Sequence, residues 1–346
     1  FHVLNNNNLA LNWGQHGYSF TPPTGFGRLC TADLPEVEIK NPKKHHEAIL
    51  YSGTGSSNSI TGLDFSPDLA WVKRRDTSGH HHLLVDTLRG GDKSVSTNLT
   101  DAENSNANRS MTFNSNGVTW NSNTGNANAS GGTYALWNWN GGSSTVTNTS
   151  GTISTQVRAN QTCGFSIIEF TYHTSGSANI GHGLGKPPQW IIAKTLSNST
   201  AWVVFHKSTG ANKWFNINTS PVNSGNAVWD NQMPTNTLIN LGFGMVNQQD
   251  TIMYAWSEIV GFSAFGRYIG NGSSNGPYVH TGFQPAWLMY KNVSQNGGQW
   301  FIRDNKRETG NPNNTSLAAE SSGAEVESSL VDTDFLSNGF KLRETN

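Results

Sequence analysis

The sequence predicts an all-β protein of tandem antiparallel β-sandwich modules, jelly-roll or lectin-like, in three related copies of which the third lacks its closing strand. Three observations lead there. Apolar residues gather in short β-branched or aromatic runs, at 69–72, 165–168, 190–192, 202–205 and 287–290, and turn residues such as Asn116-Gly117, Gly131-Gly132, Asn271-Gly272 and Asn338-Gly339 separate them. Helical signal is scarce, a turn or two at most over residues 317–326, where Ala, Glu and Ser collect. Finally, stretches of the chain repeat one another, which argues for stacked units that present surfaces rather than one catalytic pocket.

Composition narrows the class further. In 346 residues only 13% are charged, so 42 Asn and 37 Gly, with Ser and Thr, must supply most of the surface. Disorder is excluded, because 12 Trp, 16 Phe and 8 Tyr run throughout the chain. Lys plus Arg (22) nearly cancels Asp plus Glu (23), which argues against nucleic acid as a partner. With no run of eighteen apolar residues and no signal peptide, membrane insertion is not expected. The chain begins with Phe, so it is expected to be processed or to be part of something longer.

Taken in order, residues 1–43 stand outside the repeat. Their Thr21-Pro22-Pro23-Thr24-Gly25 turn and the stretch from Pro35 to Pro42 look like the end of a preceding domain running into an extended tether. A first β module is expected over 44–140, a Gly/Ser/Thr linker over 141–163 that contributes a strand near 152–157, a second module over 164–261 and an incomplete third over 262–346. Four landmarks define them. Tyr51-Ser-Gly53-Thr-Gly55-Ser-Ser-Asn58 returns as Tyr268-Ile-Gly270-Asn-Gly272-Ser-Ser-Asn275, with a looser version near Phe170. A Pro then precedes a Trp-bearing or Trp-led apolar strand, and a Lys marks its return to solvent: Pro67 to Lys73, Pro188 to Lys194, Pro285 to Lys291. Phe113-Asn-Ser-Asn116-Gly117 and Phe335-Leu-Ser-Asn338-Gly339 read as type I′ hairpins. Tyr134-Ala135-Leu-Trp137 and Tyr254-Ala255-Trp256 read as closing strands, aligned on Tyr-Ala. The third copy has none, so either the polypeptide is expected to continue beyond Asn346 or that module borrows its last strand from a neighbour.

Motifs for chemistry are few. The Gly-x-Gly-Ser-Ser-Asn turns lack the third Gly and the following helix of a phosphate cradle, and no nucleophile elbow, His-Glu-x-x-His or Cys-x-x-Cys occurs, so no cofactor is expected. Cys30 and Cys163 read as buried or free thiols. In the run His80-His81-His82, His80 and His82 would share one strand face, and across a threefold axis they would offer six metal ligands; a polar loop is the plainer reading. Among the acids Asp64, Asp68, Asp86, Asp92, Glu169, Glu258, Asp304 and the group from Glu320 to Asp334, which a glycosidase pair would draw on, none recurs with convincing spacing across the three copies, and the last group reads as decorating a solvated turn of helix and the strand after it. Trp71, Trp190, Trp202, Trp256, Trp287 and Trp300 belong to apolar runs and should be core. Trp120, Trp139 and Trp229 stand among Asn, Ser and Gly and are the candidate sugar-stacking rings.

Several of these stretches together resemble a known family: Tyr-x-Gly-x-Gly, Gly-His182-Gly183-Leu184-Gly185 before Pro-Pro-x-Trp-Ile-Ile, Gly261-Phe262-Ser-x-Phe265-Gly266-x-Tyr268, and Asp334-Phe335-Leu336-Ser337-Asn338-Gly339-Phe340-Lys341. Over about 45–346 the chain is similar to the repeat region of marine bacteriophage tail-fibre and virion structural proteins. Residues 1–43 resemble the end of a concanavalin A-like, SPRY-type domain. The resemblance implies a non-enzymatic virion component, a tail fibre or appendage that attaches to glycans on a bacterial surface, with other virion subunits as partners and a homotrimer favoured. It carries over no catalytic residue. The alternatives are an architectural head or tail decoration protein without receptor contact, a secreted carbohydrate-binding lectin, and a polysaccharide depolymerase.

Overall fold

The structure, a computed structural model, describes residues 2–4, 8–10, 21, 37–105, 110–122, 125–173, 176–219, 222–225, 228–245, 248–294, 298–327 and 332–343. The chain divides into two compact units, Phe1–Glu38 and Ile39–Asn346. In the first, β1 (His2–Leu4) and β2 (Asn8–Ala10) pair antiparallel, with His2 opposite Ala10. Cys30 and most of the expected turn at 21–25 lie outside the described residues.

The second unit is all-β in its described residues, apart from a single 3-10 turn at Pro42–Lys44 capped by the Asn41 side chain. A first set of strands comprises β3 (His46–Ser52), β4 (Asn58–Thr61), β5 (Leu69–Arg74), β6 (Leu83–Asp86), β7 (Lys93–Ser94), β8 (Asn104–Ser105), β9 (Met111–Asn114), β10 (Gly117–Trp120) and β11 (Thr133–Trp139). The second comprises β12 (Thr145–Asn148), β13 (Thr155–Asn160), β14 (Phe165–Tyr172), β15 (Ala178–Gly181), β16 (Trp190–Thr195), β17 (Val203–His206), β18 (Lys213–Phe215), β19 (Val222–Ser224), β20 (Leu238–Leu241) and β21 (Gln249–Trp256). The third comprises β22 (Tyr278–His280), β23 (Trp287–Lys291), β24 (Trp300–Asp304), β25 (Thr315–Ala318), β26 (Val326–Glu327), β27 (Thr333–Leu336) and β28 (Gly339–Leu342). Among the described residues the named strands all pair antiparallel and within a set, as in the sheets β3-β11-β5-β6, β12-β13-β14-β21-β16-β17-β18-β19 and β23-β24-β25-β26, and one isolated bridge, Ile153 with Ile180, is parallel. No described helix is long and apolar enough to cross a membrane.

Each Pro-led run is a strand. β5, β16 and β23 begin two residues after Pro67, Pro188 and Pro285. Their partners share one register: Leu69 faces Asp86, Trp190 faces His206 and Trp287 faces Asp304. β5 and β16 are continuous apolar runs because they lie inside a sheet with both faces covered; Leu69, Trp71, Val72, Ile191 and Ile192 are fully buried. One apolar cluster contains Trp71, Trp137, Trp139, Trp190, Tyr254, Trp256, Trp300 and Ile302 and therefore draws on all three sets.

Several expectations change. Residues 141–163 are not a linker: β12 and β13 form a hairpin that extends the sheet of the second set through β14, because Val146 and Val157 alternate with polar residues. The stretch 317–326 is not helical but runs from β25 through a turn to β26, with Leu317 buried opposite Ile302. Lys73 and Lys194 do not return to solvent. Both are buried, their ammonium groups donating to the carbonyls of Arg74 (2.8 Å) and Thr195 (2.7 Å), and burial pushes each amine down to about 8. Both Ser-Asn-Gly turns close hairpins, but the two loop residues precede the glycine, Gly117 pairing with Asn114 and Gly339 with Leu336. Glycine is required there by close approach: a Cβ on Gly117 would meet the Ile60 carbonyl oxygen at 2.0 Å, and one on Gly339 the Val279 oxygen at 2.1 Å.

Candidate functional site

The site is built from contacts that the strand sets hand to one another. His82, Trp202 and Trp300 lie four residues before Asp86, His206 and Asp304, so they share one place in the register. Each reaches a backbone carbonyl of another set. Trp202 Nε1 donates to Ser96 at 2.9 Å, Trp300 Nε1 to Asn216 at 3.0 Å, and His82 Nε2 to Ala318 at 3.0 Å. Because Trp71 Nε1 donates to His82 Nδ1 at 2.9 Å, the His82 proton sits on Nε2. The second set thus holds the first, the third holds the second, and the first holds the third, in a closed cycle.

A second series runs the same way around but is open. Asp86 and Asp304 each accept from two following backbone amides and from the side chain of the arginine three residues on, Arg89 Nε at 2.7 Å and Arg307 Nε at 2.6 Å. Into the first pair the second set inserts Tyr254, whose hydroxyl donates to Asp86 Oδ2 at 2.7 Å and accepts from Arg89 Nη2 at 3.0 Å. Into the other pair the first set inserts Trp137, whose Nε1 donates to Asp304 Oδ2 at 3.0 Å under the Arg307 guanidinium, 5.6 Å from the ring. Burial works against ionisation of Asp304, but Arg307 outweighs it and holds the carboxyl below the usual range. The third place of the Asp is taken by His206 in β17. Among the described residues no strand of the third set occupies the position of β11 or β21.

At that place opens a cleft of about 760 Å³, lined among others by Trp139, Trp190, Trp256, Phe265, Trp287 and Met289. Trp190 and Trp256 stack with centroids 4.4 Å apart, and Trp139 stands edge-on to Trp256 (6.0 Å) and Trp287 (5.8 Å). His206, Lys207 and Glu258 also line it, the last two forming an ion pair at 2.5 Å. Burial, and then Lys207, pushes His206 down to about 4, so its imidazole is neutral at pH 7. Cys163 is a free, buried thiol in the same wall, pushed up to about 12 by burial, which leaves it protonated and a poor nucleophile. This arrangement buries ring faces.

The residues singled out from sequence fare differently. His80 and His82 do not share an ion: they lie outside strands, His80 Nε2 sits 3.2 Å from Arg74 Nη1, and both His82 nitrogens are engaged as above. Among the described residues no group of three His, Cys, Asp or Glu could hold a metal. Trp120 and Trp229 are buried, not exposed platforms; Trp120 Nε1 donates to Tyr51 Oη at 3.0 Å, and Trp229 packs edge-on to Phe205. Their described polar neighbours lie at strand ends and in turns. Trp139 is 93% buried yet lines the cleft. Of the acids at 320–334, Glu325 stands in no helical turn and binds Arg75 and Arg307, whereas Asp334 does lie in a strand, β27, where it binds Arg343. Asp86 and Asp304 do recur, each at the same distance after its Pro and each followed by Arg three residues on. That Asp-x-x-Arg signal was readable, but His206 stands at the corresponding place of the second set. The closing strands align on Trp137 with Tyr254 and Trp139 with Trp256, three places from the Tyr-Ala alignment, because Trp139 pairs with Leu69 as Trp256 pairs with Trp190.

Residues 41–346 match one family model, described as a domain of unknown function, DUF7483. No curated protein and no solved structure matches the chain.

Proposed function

The chain belongs to the DUF7483 family, and from that premise we propose that it is a non-enzymatic structural protein of a bacteriophage virion, a tail-fibre or appendage segment contributing to attachment at host-surface glycans. We read the three strand sets as copies of one unit. The observation that carries the proposal is the pair of Asp–Arg–aromatic junctions: the recurring carboxylates are tied to buried arginines and join one set to the next, as suits a load-carrying segment. The resemblance of the repeat landmarks to virion proteins supplies the setting, and the amide-rich loops supply hydrogen-bond donors and acceptors for sugars. Other virion subunits are its partners, and a homotrimer would add avidity.

The burial of Trp120, Trp139 and Trp229 favours a second reading, an architectural head or tail component that touches no receptor. Gold-labelled antibody against this chain, imaged on particles, together with binding of the purified chain to susceptible cells and glycan arrays, tests both. Label on an appendage with cell binding supports the first reading, and label on the shell or tube without cell binding supports the second. A particle that carries no label, or release of sugar from host polysaccharide, overturns both.

A further inference from the structure

We propose that the cleft beside β23 is an acceptor for one β-strand of polypeptide lying outside these 346 residues, a strand with ring side chains at two alternate positions. The inference stands on the register and does not depend on the virion reading. In the first set β11 runs between β3 and β5, and in the second β21 runs between β14 and β16. Each of these closing strands is central, so removing one would strip both neighbours. The third set has that appearance among its described residues. β23 pairs with β24 alone, and residues 264–270, which follow Ser263 as 47–53 follow His46, form no strand. All residues of β16 are buried and all but the last of β5, whereas all five of β23 are only half-buried, and Ile269 is 84% exposed. Residues 263–268 and 286–290 both line that cleft.

The two filled positions specify the occupant. Trp139 pairs with Leu69 on one side and His46 on the other, and Trp256 with Trp190 and Phe165. By the same register an incoming ring lies between Trp287 and Ser263. A second ring two residues earlier, on the same face, lies between Met289 and Phe265 and points at His206, where Trp137 and Tyr254 meet Asp304 and Asp86. The buried Trp287 Nε1 has no hydrogen-bond partner among the described residues. A strand can pair with the backbones of two flanking segments at once, which a sugar or an isolated side chain does not.

The test adds a peptide copying residues 133–139, Thr-Tyr-Ala-Leu-Trp-Asn-Trp with flanking lysines, to the full chain and follows amide hydrogen exchange. In one arm the peptide is free, and in another it is fused after Asn346 through a flexible linker. A control peptide carries Pro at the Leu136 place, which removes a ladder donor. The expected result is at least tenfold slower exchange in both 264–270 and 287–291 with either arm, and no effect of the control. Protection of one flank only, no protection, or equal protection by the proline peptide overturns the proposal. So does protection by oligosaccharide in place of peptide, or a concentration-dependent dimer that protects both flanks unaided.

Discussion

The indole N–H of Trp137 donates to the carboxylate of Asp304 at 3.0 Å, joining a strand of the first set to a strand of the third across 167 residues of chain. Tyr254 and Asp86 repeat that relationship between the second set and the first. Both carboxylates are buried with an arginine, so breaking either pair strips a buried guanidinium of its closest counter-charge, leaving Arg89 with Glu103 and Arg307 with Glu325.

Asp304→Ala is therefore expected to destabilise the protein by about 3–5 kcal/mol, and Asp86→Ala by a similar amount. Adding Arg307→Met to Asp304→Ala should recover part of that loss, since the buried guanidinium that has lost its closest carboxylate disappears, while Glu325 keeps Arg75. Urea midpoints of the three variants check this; a double variant weaker than Asp304→Ala contradicts it.

Acid should loosen the fold between pH 6.5 and 4. His182 is fully buried, Leu184 N donates to its Nδ1 at 3.2 Å, and burial pushes it down to about 4. In that window the unfolded chain binds the extra proton, so stability is complete above pH 6.5 and falls as pH drops towards 4, by about 3 kcal/mol for this group. His46 and His206, also pushed down to about 4, act in the same direction, while the raised carboxyls of Asp68, Glu169 and Glu320 oppose it. Denaturation midpoints against pH should show a shallower acid limb in His182→Gln.

Mild alkali should have the opposite sign. Lys73 and Lys194 sit at about 8 instead of 10.5, so between those values the unfolded chain holds more protons and stability rises with pH. From pH 8 to 9.5 the gain is about 1.5 kcal/mol per lysine. Lys194→Met should remove its share of that slope in the same titration.

Gly117→Ala and Gly339→Ala should each cost more than about 2 kcal/mol, because the new methyl collides with a backbone carbonyl of the neighbouring strand. Gly266→Ala, whose Cβ would meet nothing within 4 Å, should change stability by less than about 0.5 kcal/mol. Thermal melts of the three variants separate the two classes.

Strand positions were legible in the sequence wherever a local rule governs them. Proline before β5, β16 and β23 and the Ser-Asn-Gly turns mark strand ends, because a missing amide hydrogen or Cβ acts within a few residues. What was not legible depends on distant partners. Lys73 looks like a surface residue because the carbonyl that receives it is only the next residue's, Arg74, while its burial comes from the strands β11 and β6 on either side of β5, and Trp120 and Trp229 look exposed because their immediate neighbours are polar. His82 suggested a metal ligand by its company in His80-His81-His82, yet it shares the place of Trp202 and Trp300, where what matters is a ring N–H aimed at another set's carbonyl. Asp86 and Asp304 were visible as acids with an Arg three places on, but that Tyr254 and Trp137 of other sets complete each pair appears only in the folded chain.

The contacts from His82, Trp202 and Trp300 have no terminal link. Excising any one set severs two joints instead of one and bares the rings beneath both. Proteolytic fragments cut near residues 141 or 261 should then be sticky and poorly folded, and the intact Ile39–Asn346 unit should melt in a single step rather than as three successive ones.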